Sequence, residues 1–166
     1  MSEIKKKKQI QRIGGYLKEI TTITDPSGKV MQQIVLPLMT EFRPRDLLQV
    51  IVGATILAIP ISFTEEVWKL GSDLPLPNVV ALSALGLLFI SLFVYFNFYR
   101  FHFKENKIQF IKRVLYIYLF SHLVVALILT LIDKAPWQDD FLLALKRVMI
   151  VSFPASMSAA ISDNLK

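Results

Sequence analysis

Two adjacent carboxylates, Glu65 and Glu66, close an apolar stretch in IPISFTEEVWKLG, residues 59 to 71. Acidic side chains at the rim of a hydrocarbon-soluble segment attract and partly dehydrate a cation when several copies converge, as rings of carboxylates do in cation channels. They also serve plainer ends, reaching outer water or neutralising a guanidinium. Ala54, Ala58 and Ser62 recur every four residues before them, and steps of three and four keep the stripe on the glutamates' side of a helix. Such a stripe of small residues either lets two helices approach closely or lines a narrow wet passage.

Lys146 and Arg147 form a second ionisable pair, about six residues inside another apolar run and so roughly 9 Å below its end by helical rise. An intramembrane cation costs about 2.5 to 3.5 kcal/mol unless it reaches the interface or finds a partner. Lys146 can snorkel. Arg147 matches Glu65 and Glu66 in depth, and because consecutive helical residues diverge, one glutamate can pair with it while the other stays free for a cation. His122, near the middle of YLFSHLVV, is either a proton relay or a neutral cross-helix hydrogen-bonding group. Pro60 and Pro154, in PISFT and PASMS, predict helix kinks beside hydroxyl-bearing residues.

The elements that carry these groups are membrane spans. Hydrophobic residues make up 54% of the 166, and the mean hydropathy is +0.50, more apolar surface than a soluble core of this size buries. Charged residues, 19%, fall in blocks between four apolar runs. With about 30 Å of hydrocarbon to cross, the runs predict spans near 44–67, 78–99, 113–132 and 140–162, the first continuing through about Glu66.

Lys and Arg number nine in residues 1–46 and five in 99–113, with Lys166 beyond, whereas the other side has Lys69 and Lys134, each near three acids. The positive-inside rule then predicts a cell-membrane protein with both termini cytoplasmic. A basic pI follows from this topology and needs no nucleic-acid partner. The aromatic run 93–103 reads as an inner interfacial belt, with Trp68 and Trp137 as outer anchors.

Ahead of the first span, residues 1–16 read as a solvated basic N-terminus, its KKKK run able to attract anionic headgroups. Residues 17–43 predict a small cytoplasmic β-hairpin, strands near 18–24 and 29–36 about DPSG. A lone hairpin is marginal in water and calls for support from the bilayer, the basic loop or a neighbouring copy.

PRDLLQVIVGATILAIPISFTEEVWKLG, residues 44–71, resembles the uncharacterised integral-membrane family called domain of unknown function 2391, through Gly53, Pro60, Ser62, Glu66, Trp68 and Gly71. Longer relatives carry further spans, so the resemblance implies a short form. It implies membrane insertion and supplies no activity.

Without cysteine, thiolate catalysis, disulfides and thiolate metal sites are excluded. No phosphate loop or His-carboxylate cluster is present, which argues against an enzyme and against any cofactor beyond a cation bound at Glu65 and Glu66. The expected molecule is an all-α polytopic membrane protein of four spans preceded by the hairpin, with the bilayer and further copies of itself as partners. The expected activity is cation conduction through a homo-oligomer, with Glu66, Glu65, Ser62 and Ala58 lining the path. A non-conducting accessory protein and a small proton-linked transporter using His122 and Arg147 are the alternatives.

Overall fold

A computed structural model describes residues 5–14, 16–25, 28–37, 42–100, 103, 104 and 106–165. It divides into two compact units, 1–41 and 42–166.

The first unit is an antiparallel sheet of three strands in the order β1 (Lys5–Ile13), β2 (Tyr16–Thr24), β3 (Val30–Pro37). The expected hairpin corresponds to β2 and β3. Gly28, in the left-handed region at φ +84°, donates its N–H to Asp25 O, while Pro26 and Ser27 of the expected turn lie outside the described residues. The extra strand corrects the reading of 1–16 as a merely solvated start. Ile13 pairs with Tyr16, and Gly14, just after β1, takes φ +62°, a conformation glycine adopts without steric cost.

The second unit is helical: α1 (Pro44–Ser62), α2 (Glu65–Asp73), α3 (Leu76–Val94), α4 (Lys107–Leu131) and α5 (Phe141–Asn164). A π-helical turn, Tyr95–Tyr99, prolongs α3. Four stretches are long and apolar enough to cross a membrane: Pro44–Ser62, Leu76–Tyr99, Lys107–Leu131 and Phe141–Asn164.

The first span differs from the expectation that it runs to about residue 67. It stops at Ser62, where Thr64 donates both its N–H and its hydroxyl to Ile61 O and the chain turns. Pro60, without an N–H, already leaves the Ile56 carbonyl without its helical donor, so the last turn is weakened before the break. Glu65 and Glu66 therefore open a separate short helix, where carboxylates favour the N-terminal dipole.

The spans alternate up and down, so one bundle end carries the basic segments and the other the acidic ones. The most extensive pairing is α1 with α5. Val50, Ala54, Ile90, Ile117 and Ala159 form a core toward the basic end, and Ala58, Val125, Leu129, Val151 and Ala155 one toward the acidic end. Leu48, Val52, Ile56, Leu88, Leu123, Leu127 and Leu131 remain exposed and form the lipid-facing surface.

Candidate functional site

At the basic end, Arg113 on α4 is fully buried. It grips Asp163 of α5 with both arms, Nε donating to Oδ2 at 2.8 Å and Nη2 to Oδ1 at 3.3 Å. Nη2 also reaches Asp46 Oδ2 of α1 at 3.5 Å. Asp46 is anchored in turn by the main-chain N–H of Arg43 at 3.0 Å. The guanidinium carbon lies 3.8 Å from the Phe98 ring centroid and 5.7 Å from that of Phe42, and Arg113 is hydrogen-bonded to the buried Tyr99. Removed from water, an ion pair of this kind holds only when geometry and extra hydrogen bonds offset desolvation. Here the bidentate grip and the aromatic faces do so.

Sequence reasoning missed this cluster. Asp46 falls near the start of the first apolar run, Arg113 is one of five cations in 99–113, and Asp163 follows the fourth run, so none stands out by itself. A signal was present: counting back by fours from Ala54 reaches Val50 and Asp46, and counting forward from Ala155 reaches Ala159 and Asp163. Both aspartates belong to buried stripes.

Between the ends runs the seam of α1 and α5. A Cβ on Gly53 would overlap the Ser162 side chain and come within 3.0 Å of Ala159 Cα, so the helices touch here backbone to backbone. Ala54, Ala58 and Ser62 are all fully buried within the single chain. Ser62 lies nine residues beyond Gly53 and Ser152 a similar distance back from Ala159 and Ser162, which sets the two at matching depth in antiparallel helices. Among the described residues, four buried side-chain atoms have no hydrogen-bond partner: Gln49 Oε1, Ser62 Oγ, His122 Nε2 and Ser152 Oγ. Three of the four belong to α1 and α5.

At the acidic end the expected pairing of Arg147 with a glutamate is not found. Arg147 donates from Nη1 to Lys134 O at 2.8 Å and from Nε to Trp68 O at 3.3 Å, and Lys146 Nζ to Ser72 O at 3.4 Å. The break after Ser62 is the reason: with α2 a separate helix, its later carbonyls meet Arg147, while Glu65 and Glu66 in its first turn are exposed. Gly71 makes room, since a Cβ there would lie 2.5 Å from Arg147 Cγ. Trp68 donates to Ser62 O at 2.8 Å, and Lys134 Nζ lies 4.1 Å from its ring centroid.

His122 Nδ1 donates to Tyr118 O of its own helix at 2.8 Å, and the Tyr118 hydroxyl pairs with Ser83 of α3. Pro154 lies inside α5, leaving the Ile150 carbonyl without its helical donor. His102 lies outside the described residues. Among the described residues, no three His, Cys, Asp or Glu side chains converge to hold a metal.

Four apolar spans with an outward apolar surface and ionised groups folded inward define an integral membrane protein. The family described as "Putative integral membrane protein (DUF2391)" matches residues 21–163, most of the chain, and the chain belongs to it. Among curated proteins and among solved structures nothing matches.

Proposed function

We propose that this is a cell-membrane protein, both termini cytoplasmic, that moves a small cation, a proton included, along the α1–α5 seam of each chain. The observation that supports this reading is the pair of buried hydroxyls, Ser62 Oγ and Ser152 Oγ, at matching depth and without partners. An unsatisfied buried polar group costs about 1 to 3 kcal/mol, a cost that a water or cation bound at the hydroxyl relieves. The carbonyls freed by Pro60 and Pro154 add acceptors along the same two helices. Glu65 and Glu66, exposed at the acidic end, collect the cation.

In this reading Ala58 and Ser62 serve a route inside one chain. α5 already covers them, so a central axis between identical copies would have to be lined by other faces, and the glutamate ring of a homo-oligomer loses its continuation inward. The accessory, non-conducting reading draws support from the contact of Gly53 with Ala159 and Ser162, which closes the seam below the hydroxyls.

Cation and proton flux into liposomes carrying the purified protein tests the choice. Conduction along the seam requires flux that Ser62→Ala plus Ser152→Ala lowers at least tenfold and that Glu65→Gln plus Glu66→Gln lowers less. Absence of flux from the native chain under every cation and pH gradient establishes the accessory role instead.

A further inference from the structure

Directly after Ser62 the chain turns at Phe63 and Thr64 and lays α2 against α5 at the acidic end of the α1–α5 seam, before Leu74 and Pro75 lead it into α3. We infer that α2 is a lid on that end of the seam and that Arg147 is its latch, a role that rests on the seam being the route of the cation.

The underside of the lid meets the last turn of α1. Val67 packs against the cluster of Ala58, Val125 and Leu129, and the Trp68 indole donates to Ser62 O at 2.8 Å. Ser62 is left with no exposed surface. Glu65, Glu66, Lys69 and Asp73 are exposed on the same short helix, so its other side is turned to solvent.

What holds α2 down is polar. α1 buries Val50, Ala54 and Ala58 completely, whereas the one buried residue of α2 is Gly71, which brings no side chain. A segment with so little buried apolar surface belongs to the part of a fold that opens at low cost. Its ties converge on Arg147, whose Nε donates to Trp68 O at 3.3 Å and whose Nη1 donates to Lys134 O at 2.8 Å. One side chain of α5 thus joins α2 to the α4–α5 connection, which is itself fixed by Trp137 Nε1 donating to Thr130 Oγ1 at 2.7 Å. Gly71 admits the Arg147 stem, and the Lys134 ammonium over the Trp68 ring adds a weaker hold. Thr64 and Leu74, both extended, separate α2 from its neighbours, so it can swing without unwinding α1 or α3. Raising it opens the Ser62 hydroxyl to water on the side where Glu65 and Glu66 lie.

The test uses the absence of cysteine from the chain: Ser62→Cys puts a single thiol under the lid. Its reaction with a cationic methanethiosulfonate is followed by mass spectrometry of the full chain in nanodiscs, which leave both faces accessible. The thiol reacts about a hundredfold more slowly than that of Glu66→Cys, an exposed position on the lid itself. Adding Arg147→Gln to Ser62→Cys raises the rate about tenfold, as expected when the closed state loses the donor to two carbonyls. Adding Gly86→Ala instead, which crowds Phe153 at the contact of α3 with α5, changes the rate less than about twofold. Equal rates for Ser62→Cys and Glu66→Cys overturn the lid. So does a rate that Arg147→Gln leaves unchanged, or one that Gly86→Ala raises as much as Arg147→Gln, since the seam is then loosened by any destabilisation. Labelling needs no ion to move, so a chain without flux whose thiol still answers to Arg147→Gln keeps the lid and loses the cation route.

Discussion

Arg113 and Arg147 stand near opposite ends of the same bundle, one fully buried against two carboxylates, the other partly buried against two main-chain carbonyls. Both are membrane-level guanidiniums, and each is satisfied by what its depth offers. At the basic end α1 begins and α5 finishes with an aspartate on the buried stripe, so charge meets charge. At the acidic end the break after Ser62 turns the glutamates outward and presents the carbonyls of α2 and of the α4–α5 connection. The comparison teaches that a buried cation in this fold is held by whichever acceptor the helix ends supply, and the two arrangements differ in what they lose when cut.

Removing one partner of a buried ion pair leaves the other charged and unsolvated, so Arg113→Gln is expected to have the largest effect, a destabilisation of about 3 to 5 kcal/mol. Thermal unfolding in detergent measures it. Adding Asp46→Asn and Asp163→Asn to the same chain should restore most of the loss, because neutral amides remove the stranded charges. If the triple variant is no better than Arg113→Gln alone, the cluster is not held by charge.

Arg147→Gln should cost less, about 1 to 3 kcal/mol, since it frees neutral carbonyls near an exposed end where water can replace the donor. Equal costs for the two arginines in the same unfolding assay would erase the distinction between the ends.

The glycines sharpen the contrast. Gly53→Ala drives a methyl into Ser162 and toward the α5 backbone, and about 1 to 3 kcal/mol of overpacking is expected. Gly71→Ala meets the Arg147 stem, which is a side chain free to shift, so its midpoint should fall by less. Smallest of all, Glu65→Gln plus Glu66→Gln should change stability by no more than about 1 kcal/mol, the scale of an exposed helix-dipole interaction. A larger drop would mean the carboxylates are structural.

Much of this architecture was legible in the chain. The four spans are visible as runs of apolar residues, and the burial of Ala54, Ala58 and Ser62 is visible as a period of four. Of the two readings open for the glutamates, pairing with Arg147 or reaching outer water, the first counted depth along one continuous helix, and two residues of turn at Phe63 and Thr64 cancel that count. β1 was missed because four lysines in a row suggest solvent, although the main chain of Lys5–Ile13 pairs with β2 along its whole length.

Membrane class and the number of crossings were determined by the sequence alone, because length and hydropathy along a run need no knowledge of what the run packs against. Which ions meet was decided only by tertiary structure. Asp46, Arg113 and Asp163 are distant in the chain, and their contact depends on the rotational phase and ends of three helices at once, quantities that local composition does not contain.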